Sequence, residues 1–318
     1  MSDQPRGRST SECSVVIPVY NGAETVPILV ERFKVILPEL AGRYEVILVN
    51  DGSPDRSWDV IQKLAAIHPW VRGINLMRNY GQHNATLCGV RAARYALIVT
   101  MDDDLQHLPE EIHHLLAKLE EGYDVVYGIP HQRPHSWWRN GFSVFTKIIL
   151  SSAMGIRTIR DIGSFRAFRT NLRQAFENYN SPELILDVLL SWGTTRFATV
   201  PVKEAPRDHG ASNYTFRKLV HVAFLVLTGF STAPLRLASI VGFTFTLFGI
   251  LAFLYVVIVY FTQGSIPGFP FLASIISLFS GAQLFALGII GEYLGRVFDR
   301  IASRPCYTIG GTAGEQSE

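Results

Sequence analysis

The chain has 318 residues, 48% of them apolar, and a formal net charge of +2. So small an excess argues against nucleic acid as a partner, which needs a concentrated basic face. Three widely spaced cysteines, Cys13, Cys88 and Cys306, make neither a disulfide framework nor a metal-ligand pair, so a reducing, cytosolic setting suits the soluble part.

Residues 1–12 are polar, carry Arg6 and Arg8, and lack the apolar core of a signal peptide. They read as a disordered leader, and the domain behind them is expected to stay where it is synthesised. The β-branched run Ser14–Val19 predicts a first strand. Residues 24–37 predict a helix with Val26, Leu29, Val30, Phe33 and Leu37 on one side. Strand 44–49, the turn Asn50-Asp51-Gly52-Ser53, helix 56–67, strand 71–76, helix 82–94 and strand 96–101 follow. A helix over 109–121 has proline in its first turn, where the missing N–H costs nothing, and strand 123–127 closes the series. Apolar strands alternating with amphipathic helices imply an α/β domain over 13–215 with a mostly parallel sheet covered on both faces. Ligands of such sheets bind beyond the carboxyl ends of the strands.

Within this domain, residues 136–154 place Trp138, Phe142, Phe145 and Ile149 at helical spacing, with Arg139, Ser143 and Lys147 elsewhere on the wheel. That pattern fits a core-packed amphipathic helix, but the paired Trp137-Trp138 tips it toward a membrane interface. A juxtamembrane helix is expected over 216–236. Leu237–Phe261 then runs 25 residues without a charge, roughly 37 Å of helix at about 1.5 Å per residue, more than a hydrocarbon core of about 30 Å. Residues 271–290 supply 20 more uncharged positions after the short turn 262–270. Two such neighbours predict a transmembrane hairpin. Arg217, Lys218 and Arg236 precede it and Arg296, Arg300 and Arg304 follow it. The positive-inside rule therefore puts both ends, including a tail over 291–318, in the cytoplasm and the turn outside.

The acidic run Met101-Asp102-Asp103-Asp104-Leu105-Gln106 directly follows a predicted strand. If extended geometry continues, 102, 104 and 106 share a face and Asp103 points away. Two carboxylates and an amide oxygen there suit a hard divalent cation that keeps some waters for a diphosphate. A bare acidic triplet can also be a solvated loop or helix cap; its place at a strand end favours chemistry. Asp51 stands in the turn after the second strand, where a carboxylate can accept from a base edge or simply make an Asx turn. Pro18 and Tyr20 close the first strand, and Tyr20 can stack on a base. Arg207, five residues before Ser212 in the run RDHGASNY, has the planar fork that grips a diphosphate, although the run also reads as a polar linker.

Taken together, VVIPVYN (15–21), VNDGSPD (49–55), RNYGQHNA (78–85), DDDLQHLPEE (102–111), RDHGASNYTF (207–216) and GEYLGRVFDRIASRP (291–305) resemble the family 2 glycosyltransferases with a GT-A fold. Specifically, they are similar to the polyprenyl-phosphate glycosyltransferases related to dolichol-phosphate mannose synthase. RNYGQH and the segment 161–168 look closest to the bacterial branch that charges undecaprenyl phosphate, including the aminoarabinose-type transferases. The resemblance implies a GT-A nucleotide-sugar-binding domain followed by interfacial helices and the membrane hairpin, in a multi-pass protein of the inner membrane. It also implies Pro18, Tyr20, Asp51, Asp102 and Asp103 around the nucleotide, and Asp104 with Gln106 on Mg²⁺ or Mn²⁺. Arg207 and Ser212 would close over the diphosphate, with Asp102, Asp104, Asp161 and Arg207 serving catalysis. The implied reaction is inverting transfer from a nucleotide-diphosphate sugar, a UDP-sugar, to polyprenyl (undecaprenyl) phosphate. Membrane lipid and further copies of the chain are the other implied partners.

Two residues depart from the family pattern. Gly22 stands where a glutamate usually follows Tyr-Asn, with Glu24 two residues on. Ser164 stands where many members have aspartate, with Asp161 the nearest carboxylate. One rival reading is a processive polysaccharide synthase, whose Gln-x-x-Arg-Trp motif is absent from the sequence. A non-catalytic membrane-anchored nucleotide-sugar-binding or assembly protein is the other.

Overall fold

A computed structural model describes residues 12–130, 163–181, 184–205, 233–263, 268–301 and 304–314. The expected interfacial helix over 136–154, the residues Asp161, Arg207 and Ser212, the leader to residue 11 and the juxtamembrane stretch to residue 232 lie outside them. The chain forms two units, residues 1–213 with 304–318, and residues 214–303.

The first unit is built on an eight-stranded sheet of order β7-β5-β6-β4-β1-β2-β3-β8. Its strands are β1 (Glu12–Val19), β2 (Arg43–Asn50), β3 (Val71–Leu76), β4 (Leu97–Thr100), β5 (Val125–Pro130), β6 (Arg166–Arg169), β7 (Phe197–Val202) and β8 (Ile309–Ala313). Four of the seven pairings are parallel, and they include the central run β4-β1-β2-β3. These central strands are apolar because both faces are covered. Val15, Ile17 and Leu48 pack on one side with Val26 and Phe33 of α1 (Thr25–Leu40), Ile61 of α2 (Ser57–Ile67) and Leu115 of α4 (Ile112–Glu120). Val16, Ile47 and Val49 pack on the other with Leu87 of α3 (Gln82–Ala92) and Leu189 of α5 (Leu186–Gly193). Parallel register brings Tyr20, Asp51, Met77 and Met101, each just past its strand, to one edge of the sheet.

The predicted elements recur with shifted ends: α1 runs on to Leu40, β4 stops at Thr100, and β5 begins at Val125. Three strands, like α5, were not predicted. β6 inserts antiparallel between β4 and β5, and β7 extends that edge beyond β5. At the opposite edge the expected tail contributes β8, antiparallel to β3. Two buried ion pairs tie elements together: Arg72 of β3 with Glu45 of β2 at 2.8 Å, and Arg166 of β6 with Asp187 of α5.

The second unit contains α6 (Ala233–Gln263) and α7 (Phe269–Ile301). Phe279 of α7 packs against Phe245 and Phe248 and lies over Gly249, where an added Cβ would meet its ring at 2.9 Å. Leu235–Thr262 is long and apolar enough to cross a membrane. The hydroxyls of Ser239, Thr244, Thr246 and Thr262 all donate to carbonyls four residues back. Such internal pairing satisfies these four hydroxyls within the helix itself.

Candidate active site

The acidic run does not continue β4. Leu105 adopts φ +61°, a left-handed conformation costly for a branched residue, and the chain turns at once. The expected shared face of 102, 104 and 106 is therefore replaced by three different environments. Asp102 points sideways, where one oxygen accepts from Gln82 Nε2 and the other from Ser164 Oγ at 2.6 Å. Asp103, expected to point away, turns toward the end of β1 and accepts from the Tyr20 amide at 3.2 Å. Burial pushes Asp103 up to about 7, helped by the neighbouring carboxylates of Asp102 and Asp104 and opposed by the Tyr20 amide. Asp104 is exposed, and its Oδ1 accepts from the Gln106 amide at 3.1 Å.

Gln106 supplies the observation that bears on a cation. Its side-chain nitrogen is buried and has no hydrogen-bond partner among the described residues. Nitrogen and oxygen of an amide exchange places by a simple flip. Turned over, the group presents a buried oxygen, a ligand of the kind a hard divalent ion selects. Among the described residues no three carboxylate, histidine or cysteine side chains form a closed cage. An ion here would be held by Asp104 and Gln106 and completed by water and substrate phosphate, the usual arrangement for magnesium. The donor set fits the group.

Around this turn stand loops from the neighbouring strand ends. Pro18 is buried within β1, in register with Val49, whereas Tyr20 is 49% exposed and its ring is available for stacking. Asp51 is buried, and its two oxygens accept from the amides of Tyr80 at 2.7 Å and Gly81 at 2.9 Å. Burial raises its pKa against the pull of those two amides. The carboxylate thus pins the loop between β3 and α3, a contact the turn signal alone did not reveal. Gly52, at φ +62°, is what lets that loop approach: a Cβ there would lie 2.3 Å from the Arg78 carbonyl carbon. Where the acidic turn leaves the site, His107 pairs with Glu204, and the Ala205 amide donates to the Gln106 carbonyl at 2.9 Å. Described chain therefore runs beside Gln106 to within two residues of Arg207.

The model of glycosyl transferase family 2 matches residues 14–179. An undecaprenyl-phosphate 4-deoxy-4-formamido-L-arabinose transferase of Proteus mirabilis is 38% identical over 304 residues, covering 94% of this chain and 93% of its own. The chain belongs to glycosyl transferase family 2. The transferase of the same description from Serratia proteamaculans is 36% identical, covering 95% and 94% of the two chains. Among solved structures, glucosyl-3-phosphoglycerate synthase of Mycobacterium tuberculosis, in complex with Mn²⁺, uridine diphosphate and phosphoglyceric acid, is 16% identical with a TM-score of 0.49, covering 69% of this chain and 76% of that one.

Both departures from the family 2 pattern have a local explanation. A Cβ at Gly22 would stand 2.5 Å from Asp103 Oδ2 and 2.8 Å from Val19 Cγ1, so no side chain enters unless Asp103 moves. Glu24 is exposed one residue before α1. Ser164 donates to Asp102, and its carbonyl accepts from Thr100 Oγ1 at 2.7 Å. An aspartate at that point would face Asp102 with like charge, whereas the hydroxyl fixes it. Gln82 and Ser164 are the two site residues without an assigned role in the sequence. Each sits inside a matched motif, but only the fold brings it to Asp102.

Proposed function

We propose that this family 2 enzyme transfers a sugar, with inversion, from a UDP-linked donor to undecaprenyl phosphate at the cytoplasmic face of the inner membrane. The sugar is 4-deoxy-4-formamido-L-arabinose, the one named in its relatives. The observation that carries the reading is the convergence of Tyr20, Gln82 and Ser164 on the acidic turn beside the unsatisfied Gln106 amide.

In this reading Tyr20 stacks on the base. Asp51 acts through the loop it pins, and Pro18 fixes the strand end that carries Tyr20. Asp102 and Asp103 shape the wall that receives the ribose and diphosphate. Asp104 and Gln106 would hold Mg²⁺ or Mn²⁺, which would supply positive charge against the departing nucleotide diphosphate. Arg207 and Ser212 add hydrogen bonds to the same diphosphate, and Asp161 orients the acceptor. A lipid-phosphate oxygen forms a bond to the anomeric carbon while the bond to the diphosphate oxygen breaks, the electron pair leaving with the nucleotide. Because the second pKa of a phosphate monoester is about 6, about nine tenths of the acceptor is dianionic at neutral pH, and no strong base is required. One displacement inverts the anomeric centre.

The apolar Leu235–Thr262 stretch, with its internally paired hydroxyls, supports one arm of a membrane hairpin that would keep residues 13–215 near a lipid acceptor; a homo-oligomer is part of the same proposal. The test is to incubate membranes carrying the chain with labelled UDP-sugars and undecaprenyl phosphate and assay for labelled lipid. Asp104→Ala is expected to lower transfer by at least about a hundredfold with unchanged expression and melting. Near-normal turnover would overturn the metal assignment. No metal-dependent product from any donor would favour a non-catalytic binding protein.

A further inference from the structure

The loop Met77–Gln82 is the common neighbour of two proposed donor-pocket carboxylates. On its inner side the amides of Tyr80 and Gly81 are held by Asp51, and Gln82 donates to Asp102. Its outer side is held by residues more than 220 positions away. The Met77 amide donates to the Thr308 carbonyl at 2.9 Å. Interaction with Thr308 draws the pKa of the Tyr80 hydroxyl below the ordinary tyrosine value. Gly310 lies so close over Met77 that an added Cβ would meet its Sδ at 2.8 Å. Below them Cys306 is buried with Sγ at 3.1 Å from the Ser181 carbonyl, and Arg91 lies 5.9 Å from the centre of the Tyr307 ring. The segment carrying these contacts follows α7 after two residues and ends in β8, on the edge of the sheet.

A loop clamped from both sides is ordered only while both clamps hold. Asp51 takes the amides of Tyr80 and Gly81, while Met77 is held from the other side by the Thr308 carbonyl and by Gly310. Resting on the donor reading above, we propose that the segment Arg304–Ala313 is a positioning element of the donor pocket: Thr308 sets the conformation of Met77–Gln82 and, through it, the placement of Asp51 and Asp102. The sheet that binds the soluble donor is thereby completed by chain that follows directly on the apolar helices.

The test uses the full chain in detergent, comparing wild type with Thr308→Val, Thr308→Ser and a chain stopped after Arg304. Amide hydrogen exchange is read over Met77–Gln82 and over β4, and affinity for UDP with manganese is measured by calorimetry. Thr308→Val is expected to speed exchange in the loop and weaken UDP binding, each about tenfold, with β4 unchanged. Thr308→Ser restores both, and the truncated chain exceeds Thr308→Val in the loop. Unchanged loop exchange in Thr308→Val and in the truncation overturns the proposal, as does equal acceleration in β4, which marks general destabilisation. If wild type itself binds no UDP, the donor reading falls, and the exchange pattern still decides whether Thr308 orders the loop.

Discussion

Gly22 has no room for a side chain because Asp103 occupies the space, and Asp103 is there because its carboxylate takes the Tyr20 amide. Gly22→Ala therefore sets two overlaps, with Asp103 Oδ2 and Val19 Cγ1, against one methyl group. The expected result is a loss of about 1–3 kcal/mol of stability together with a fall in transfer, read as melting temperature and product formed. Retained activity and melting would show that the turn yields freely. The cysteines report on the same core. Burial pushes the thiols of Cys13 and Cys88 up from 9.0 to about 12. Since the thiolate is the nucleophile, native protein at pH 8 should resist iodoacetamide at both, and unfolded protein should not. The linkage has a definite sign: these thiols keep their protons in the folded state between pH 9 and 12 while the unfolded chain loses them. Their contribution to stability is complete below pH 9 and declines as pH rises through that window, which denaturant midpoints measured at pH 8 and 10 will detect.

Between elements, an electrostatic tie joins Arg166 of β6 to Asp187 of α5, both almost fully buried, with Tyr127 Oη donating to the same carboxylate at 2.9 Å. Arg166 also donates to Thr100, which donates in turn to Ser164, so the pair backs the site that holds Asp102. Arg166→Met strands the Asp187 charge and should cost about 3–5 kcal/mol in denaturant unfolding; adding Asp187→Leu should recover part of it. A double variant no more stable than the single would mean that packing, not charge, dominates. This tie also marks where the sequence stops being legible. β1 and β2 read clearly because parallel strands buried on both faces must be apolar runs. β6 is four residues with an arginine at each end, whose charges are taken up by Asp187 and by Asp124 with the Leu119 carbonyl. β8, IGGTA, has neither alternation nor an apolar run. The acidic turn was visible as composition, but its shape depends on a left-handed leucine, a residue that signals no turn. The contacts that orient Asp102 come from 20 and 62 residues away, a distance that local pattern does not span.

At the scale of the molecule, the proposed reaction brings a soluble activated sugar and a lipid-borne phosphate together on one side of a membrane, and the placement of charge is the sequence signal for which side. Leu235–Thr262 is a 28-residue stretch, about 42 Å of helix and long enough to cross a core of about 30 Å with tilt. Arginines and lysine flank the apolar stretches at 217, 218 and 236 and again at 296, 300 and 304, while residues 262–270 between them carry no charge. On the proposed topology the positive flanks stay with the cytoplasm, and β8 can join the sheet of residues 12–205 if the chain crosses an even number of times. The antiparallel pairing of β8 with β3 and the charge pattern both agree with the hairpin proposed above. A green fluorescent protein fused after Glu318 should glow, and alkaline phosphatase inserted at position 265 should be active in intact cells. The reverse pairing of signals would place the acidic turn on the wrong side for a cytoplasmic donor. An inactive phosphatase with a fluorescent tail would mean that the apolar helices lie on the membrane without crossing it.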